Sequence, residues 1–253
     1  MEFFKTLDTF CKFTKILLGV YMKKYLYETH CHTNVSSRCS RFSPEEIVKL
    51  YTTLKYDGVF ITDHCFHEHH LTYEESITLA SKGYYEVKKL AQNTNLKVFF
   101  GIEFSRSWIH FLVYGLSPKW HMAHPEIANM STKEALNFYR ENGATVIHAH
   151  PFRAQRGHLE HIELYPECVD GAEIINGGNH KPKCKLSTEY VKHYKLLASA
   201  GSDIHSLKQP TLGKFISKTP LNVETDYGNV LKMGKYCVKK AKNPFADKRK
   251  NKR

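Results

Sequence analysis

Pairs of metal-binding residue types recur in this sequence, two positions apart, at the ends of short apolar runs. Residues i and i+2 of a β-strand project from the same face, so each pair can direct two donor atoms at one point. Imidazoles with a few carboxylates suit Zn, Mn or Fe, and centres with several such metals most often catalyse hydrolysis. The pairs are His30 with His32, His148 with His150, and Asp203 with His205, and two further runs carry Asp63-His64 and Glu103.

Short apolar runs alternate with helical patterns along the chain, and no linker or repeat interrupts them. Ser43-Pro44-Glu45-Glu46 has the residues of a helix start, since Ser43 can cap and Glu46 can complete a capping box. Ser131 and Glu134 form a second such pattern. The sequence predicts helices that begin at these two boxes, at 72–94 and at 187–195, and strands near 25–31, 58–62, 97–102, 110–115, 144–149, 171–175 and 196–201.

Alternating strands and helices favour a parallel sheet with helical crossovers, and about seven strands suggest a closed or nearly closed barrel. Nearly all the candidate donors follow their strands, which is where barrel enzymes carry their active sites. The predicted fold is therefore an α/β, distorted (β/α)7 TIM-like barrel with a metal site at the C-terminal ends of its strands. An open sheet would spread the same donors along a row.

Length and composition agree with one globular domain. The chain has 253 residues, of which 42% are hydrophobic, and its seven cysteines show no C-x-x-C spacing. An odd cysteine count without an export signal points to the cytoplasm. The formal net charge of +12 suits phosphate-bearing partners, although lysine-rich surfaces also occur without them. Nothing in the composition fixes an oligomeric state.

Both ends of the chain differ from the predicted barrel domain, residues 22–238. Residues 1–21 are apolar but carry charges, and the run from Ile16 to Tyr21 is too short for a membrane span. Met22 is an alternative start that would make 1–21 an extension, and a short packing helix is the other interpretation. Residues 239–253 are rich in lysine and arginine and are predicted to form a flexible tail.

Six motifs, in order, resemble those of the PHP (polymerase and histidinol phosphatase) family, in particular its small stand-alone bacterial members. They are ETHCHT at 28–33, ITDH at 61–64, GIEFS at 101–105, HFLVYGL at 110–116, HAHPFR at 148–153 and AGSDIH at 200–205. The similarity extends over roughly residues 25–220. It implies a distorted seven-stranded barrel, two or three divalent metal ions and hydrolysis of phosphate esters.

The resemblance also implies a ligand set. Glu103 matches a carboxylate that bridges two metals, His110 lies where many members place another ligand, and His148 is less certain because the family's histidine directly precedes the proline. Ser37 occupies a position that is often acidic in the family and helps to hold a third metal, so two metals are better supported than three. Cys39 is either a thiolate ligand that substitutes for this acidic residue or a plain small residue. The predicted metal ligands are His30, His32, His64, Glu103, His110, His150, Asp203 and His205.

Catalytic roles follow from residue chemistry. Glu103 can bridge because a carboxylate has two oxygens, and Asp203 can offset metal charge and guide the proton of a water molecule. Asp63 can orient an imidazole. Arg153 is either a clamp for phosphate oxygens or half of a structural salt bridge, and Arg38 and Arg156 are weaker candidates for the clamp.

Other conspicuous residues have simpler interpretations. His67-Glu68-His69-His70 resembles a metal site, but a solvated loop is favoured over a lid contact. Strand alternation should turn Cys31 and Cys65 away from the metal side.

The sequence thus predicts a metal-dependent phosphoesterase, most simply a phosphomonoesterase that acts on a small phosphorylated metabolite of the histidinol phosphate or nucleotide type. No membrane partner is expected. The alternatives are a nuclease or nucleotide-end processing enzyme with the same metals, motivated by the basic charge, and a non-catalytic metal-binding module, motivated by Ser37.

Overall fold

The computed structural model describes residues 23–65, 71–106, 108–153, 162–179 and 181–246. The predicted extension 1–21, the cluster His67-Glu68-His69-His70 and Arg156 lie outside the described residues. None of the described helices combines the length and the apolar character needed to cross a lipid bilayer.

All seven predicted strands are present, within two residues at most boundaries. Three more strands, none of which was predicted, occur in the described residues: a two-residue strand at His64 and an antiparallel pair, β9 and β10, with a helix between them in the sequence. The strands are β1 Tyr25–Cys31, β2 Gly58–Ile61, β3 His64–Cys65, β4 Lys97–Arg106, β5 Ile109–Tyr114, β6 Thr145–His148, β7 Gly171–Asn176, β8 Leu197–Gly201, β9 Thr211–Ser217 and β10 Tyr236–Lys242.

The strands form one strongly curved sheet in the order β10-β9-β1-β2-β4-β5-β6-β7-β8, with β3 paired to β4. The chain that follows β8 closes this sheet onto β1. The backbone N–H of Asp203 donates to His30 O at 2.8 Å, and the N–H of His32 donates to Ile204 O at 3.3 Å. The result is the nearly closed barrel that the sequence predicted.

The prediction of a wholly parallel sheet is wrong at β5. Strand β5 runs antiparallel to both β4 and β6, and only residues 107 and 108 connect it to β4. A parallel connection needs a crossover of about a dozen residues or more, so this short link enforces a hairpin. His110 therefore lies near the start of β5, but at the same end of the barrel as the C-terminal ends of the parallel strands.

The helices begin where the caps predict. Capping boxes are formed at Ser43 with Glu46 and at Ser131 with Glu134, and a third at Thr72 with Glu75. The last predicted helix starts earlier than expected, because Pro182 is tolerated in a first turn. The α-helices are α1 Pro44–Thr53, α2 Tyr73–Ala91, α3 Pro118–Met122, α4 Thr132–Glu141, α5 Lys181–Tyr194 and α6 Asp226–Met233, with a 3-10 helix at Pro125–Asn129.

Two of the three apolar clusters among the described residues lie on the two faces of the sheet. The outer one joins the sheet to the helices and contains Cys31 and Cys65, as alternation predicted. The inner one contains Tyr27 and is sealed by Tyr227 and Leu231 of α6. Strict alternation would put Tyr27 and Cys31 on one face, but the register of β1 shifts between Glu28 and Cys31.

Part of the segment that was predicted to be a flexible tail belongs to the sheet. Strand β10 pairs antiparallel with β9 from Tyr236 to Lys242, so residues 239–242 belong to the sheet. The basic composition suggested a solvated segment, but a pairing strand on an edge tolerates lysine well.

Gly83 on α2 gives a test of the packing. A Cβ there would lie 2.3 Å from Asp63 Oδ2 and 2.4 Å from Thr33 Oγ1. Alanine is the better helix former, yet we expect Gly83→Ala to lower the free energy of unfolding by about 1–3 kcal/mol because the contact forces atoms apart. Urea unfolding measures this, with Lys82→Ala on the exposed side of the same helix as control. A more stable Gly83→Ala would contradict the packing described.

Candidate metal centre

Glu103 is the centre of the candidate site. It lies on β4, is fully buried, and is surrounded by imidazole nitrogens from other strands. Its Oε1 lies 3.0 Å from His110 Nδ1 and 3.0 Å from His150 Nε2, and its Oε2 lies 2.9 Å from His64 Nδ1. The two oxygens thus face different groups of histidines, as a bridging carboxylate requires.

His30 on β1 and His32 just after this strand direct their Nε2 atoms to the same place. His30 Nε2 and His32 Nε2 are 3.1 Å apart, and each is within 3.5 Å of both Glu103 and Asp203. The opposite ring atoms are held from behind: His30 Nδ1 lies 3.0 Å from Glu173 Oε1, and His32 Nδ1 lies 3.2 Å from Ser37 Oγ. Such partners fix the ring orientation of a metal-binding histidine.

Two site residues adopt a backbone conformation that is uncommon for residues other than glycine. His150 has φ 31° and Asp203 has φ 50°. Each lies just beyond the end of its strand, so the left-handed turn, and not strand alternation, directs the side chain inward. Strained backbone of this kind costs energy and concentrates at functional sites.

Gly201 makes room for this arrangement. A Cβ at this position would lie 2.3 Å from His30 Cβ and 2.6 Å from Glu173 Oε1. Only a residue without a side chain lets β8 approach β1 so closely.

All eight predicted ligands lie in one cluster, although their coordination of metal stays a prediction. Donor atoms within 4.8 Å of one another form four overlapping groups among the described residues. Four residues each belong to two of them, so neighbouring ions would share ligands: His30, His32, His64 and Glu103. The groups are His32-His64-His205, His30-His32-Asp203, His30-Glu103-His150 and His64-Glu103-His110.

The HAH sequence does not direct both histidines to the site. Strand β6 ends at His148, whose ring packs against Phe111 and Tyr190 at 4.9 and 6.0 Å between centroids. Burial lowers the pKa of His148 to about 3, so it stays neutral in the core. The simple i, i+2 rule fails because the chain turns at His150.

Arg153 forms the salt bridge that was one of its two predicted roles. Its Nη1 donates to Asp203 Oδ2, Nη2 to Asn176 Oδ1 at 2.5 Å and Nε to Asn179 Oδ1 at 3.0 Å. The side chain keeps 23% of its surface exposed. A role as a phosphate clamp stays a prediction.

Asp63 acts on His32 through a third residue. Its Oδ1 accepts hydrogen bonds from Thr33 N and Ser37 Oγ at 2.7 Å, while His32 Nδ1 lies 4.0 Å away. Ser37, at the position that is often acidic in the family, is therefore a link between Asp63 and His32. Cys39 is exposed and belongs to none of the four ligand groups.

Sequence reasoning missed Glu173 and Glu28. Glu173 holds His30, and its Oε2 accepts hydrogen bonds from His150 N and Asn176 Nδ2. Glu28 accepts hydrogen bonds from Tyr51, the Ser202 backbone and the His30 backbone, which ties β1 to the segment after β8. The signal was available, since an acidic residue inside an apolar strand run needs buried donors.

Without a metal ion, protons on the histidines balance the negative charges of the carboxylates in the cluster. Burial disfavours charged His32, but Asp203 and Glu103 outweigh it and raise its pKa to about 9. Burial also disfavours charged His30, yet Glu173, Asp203 and Glu103 raise its pKa well above the ordinary value. Despite burial, His110, His30 and His64 hold the pKa of Glu103 well below its usual range.

The donor set fits a metal. Glu103 Oε2 is buried and accepts no hydrogen bond of good geometry from the described residues, although imidazole nitrogens surround it. When the imidazoles are neutral, their lone pairs and those of the carboxylates converge at one place, and this mixture of nitrogen and oxygen ligands suits Zn, Mn or Fe.

We expect His150→Gln to lower the metal affinity of the protein at least about tenfold, because it removes an imidazole next to Glu103. His148→Gln, two residues earlier, is the matched control and should leave metal affinity unchanged. Competition with a metal-binding dye measures both. Equal losses in the two variants would contradict the placement of His148 outside the site.

Metal binding at pH 7.5 should release about two protons, because His30 and His32 must become neutral to act as ligands. Affinity should rise with pH until His32 has titrated near pH 9. Titration calorimetry in buffers of different ionisation enthalpy measures the release. A heat of binding that does not depend on the buffer would contradict the prediction.

Comparison of the sequence with family models and with curated proteins found no match. Solved structures do match. A two-domain Bacteroides vulgatus protein, described as containing a PHP-like metal-dependent phosphoesterase, superposes with a TM-score of 0.63 at 17% identity. The match covers 86% of this chain, which spans 65% of that protein's length.

Two more structures agree. A Bifidobacterium adolescentis protein described as a metal-dependent phosphoesterase gives a TM-score of 0.51 at 18% identity, with coverage of 71% of this chain and 87% of that one. PsfC from Pseudomonas syringae gives 0.57 at 12% identity over 90% and 95% of the two chains. This chain therefore has the fold of the PHP family, a nearly closed α/β barrel with its cluster of histidines and carboxylates at one end.

Proposed function

We propose that this protein is a metal-dependent hydrolase of phosphate esters, most simply a phosphomonoesterase. The observation that carries the proposal is the geometry of Glu103, whose two oxygens face separate groups of imidazoles. Two adjacent cations on such a carboxylate would neutralise phosphate oxygens and supply a hydroxide at neutral pH. His30, His32, His64, His110, His150, Asp203 and His205 would complete their ligand sets.

The protein's own groups prepare the site for an anionic substrate. Neutral imidazoles bind cations without cancelling their charge, so the cluster remains net positive. Asp203 Oδ1 lies 3.3 Å from His32 Nε2 and 3.5 Å from His30 Nε2, within reach of a water molecule bound among them. The Arg153 guanidinium and His30 hold the pKa of Asp203 well below its usual range despite its burial, so the carboxylate can accept a hydrogen bond from that water molecule.

Arg153 has a second role in the proposal. Its guanidinium reaches Asp203 while part of the side chain faces solvent, so it lies between the cluster and an arriving substrate. We infer that it exchanges one of its three present contacts for a phosphate oxygen when substrate binds.

The fold comparisons support the reaction class but not the substrate. Proteins that share this fold are described as metal-dependent phosphoesterases. Histidinol phosphate and nucleoside monophosphates are the first small substrates to test. Mn, Fe and Zn all suit the ligands, and two ions are proposed because Cys39 supplies no donor to the cluster. A second candidate, processing of nucleic-acid ends, is favoured by a basic surface described below.

Phosphate release tests the proposal. We expect Mn²⁺-dependent release from a small phosphomonoester that a chelator abolishes. Asp203→Asn should lower kcat at least about a hundredfold because the negative charge is lost and an NH2 group replaces one of the two acceptor oxygens. Glu141→Gln, an exposed carboxylate-to-amide change, is the matched control.

No release from a panel of small monoesters and oligonucleotides, by protein that demonstrably holds metal, would contradict the proposal and favour the non-catalytic module. Release that persists fully in Asp203→Asn would contradict the role given to this carboxylate.

A further inference from the structure

The strands at the open edge of the sheet carry much of the protein's positive charge. The segments 205–218 and 235–246, which include β9 and β10, contain seven lysines and no aspartate or glutamate. The formal charge of the whole chain is +12. More than half of this excess therefore lies in one antiparallel pair of strands and its flanks, which we call the lysine ribbon: Lys208, Lys214, Lys218, Lys235, Lys239, Lys240 and Lys242.

The pairing of the ribbon places like charges together. Lys239 is directly opposite Lys214 in the antiparallel register, an arrangement that destabilises a bare sheet. Lys240 and Lys242 share the other face of β10 by alternation, and all three lysines of β10 are exposed. Within the described residues β10 pairs only with β9, and its exposed lysines lie on both faces of this end of the sheet.

The ribbon leads to the candidate metal centre. Strand β9 starts soon after His205, and β10 ends beside this start, since Lys242 pairs with Thr211. Just beyond β10, Asn243 Nδ2 donates to Leu207 O at 3.1 Å and to Gln209 O at 2.8 Å. The loop that joins His205 to β9 is thereby tied to the end of the ribbon, and Lys208 lies in this loop.

A small metabolite does not use so long a surface. A strand of seven residues spans roughly 23 Å, several times the size of one phosphate group. Lysine on an edge strand also prevents aggregation, which is a sufficient reason for the charges of β10. It does not account for Lys208 in the loop. Lys214, on the inner, paired strand, has a local partner, since its Nζ lies 5.6 Å from the centroid of the Tyr56 ring.

We propose that the lysine ribbon binds the phosphate backbone of a nucleic-acid strand and leads its end to the metal centre. This inference rests on the proposed phosphoesterase function. The ribbon offers no row of exposed aromatic side chains for base stacking, because Tyr236 packs on Phe215 with ring centroids 5.0 Å apart. Binding is therefore independent of sequence and steeply dependent on salt.

Fluorescence anisotropy of a labelled single-stranded oligonucleotide, with the full-length protein in chelator, tests binding without turnover. Lys239→Gln/Lys240→Gln/Lys242→Gln should weaken binding at least about tenfold at low salt and reduce the slope of log K against log[salt] by about 2, or about 0.7 for each lost contact. Lys89→Gln/Lys119→Gln/Lys185→Gln removes equal charge from exposed helical sites and should change neither by more than about twofold.

A turnover assay separates this inference from the proposed function. The ribbon variant should lose kcat/KM on a 5′-phosphorylated oligonucleotide and keep the wild-type value on a small phosphomonoester. If the wild-type protein hydrolyses neither substrate, the proposed function is contradicted, whatever oligonucleotide binding the anisotropy shows.

Three results would overturn the inference. The first is equal binding by the ribbon and control variants, which leaves edge protection as the role of the lysines. The second is binding that disappears only when residues 247–253 are removed. The third is a clear preference for inorganic polyphosphate over the oligonucleotide.

Discussion

The burial of Glu103 among imidazoles is the interaction on which the rest of this structure depends. An isolated buried carboxylate costs several kcal/mol unless positive charge compensates it. Five histidines lie within 3.4 Å of its oxygens, three on strands β1, β3 and β5 and two in the segments just after β1 and β6. The barrel must therefore be closed enough to bring these elements to one point, and protons or metal ions must complete the charge balance.

The hydrogen bonds behind the cluster show how the fold meets this requirement. Glu173 holds His30, while Asp63 reaches His32 through Ser37. Glu28 ties β1 to the chain after β8, close to Asp203. Glycine at 83 and 201 lets a helix and a strand approach these carboxylates and histidines. The inner apolar cluster fills the barrel below the candidate metal centre, and α6 packs against this cluster.

Much of this could be predicted from the sequence because the strongest signals are local. Apolar runs and capping boxes located the seven main strands and several helices, and the donor-rich strand ends located the site. Local signals failed where three-dimensional contacts decide. The antiparallel direction of β5 follows from a two-residue link. His148 and His150 point to different places because the chain turns at His150. The role of Glu173 depends on His30, a partner more than a hundred residues away.

The same limit applies to the lysine ribbon. In the sequence its residues are dispersed over two segments and merge with a basic tail, which suggested solvated charge. Only the pairing of β9 with β10 shows that they lie along one pair of strands, and only the contacts of Asn243 show that this pair ends beside the loop after His205. The position of these lysines in the fold, and not their spacing in the sequence, indicates a shared role.

Anomalous diffraction at the Mn edge, from crystals grown with Mn²⁺, tests the central claim most directly. We predict two peaks on either side of Glu103, about 3.5–4 Å apart, with one carboxylate oxygen bound to each ion. The claim would be contradicted by peaks elsewhere on the protein, or by a single ion that Glu103 does not touch.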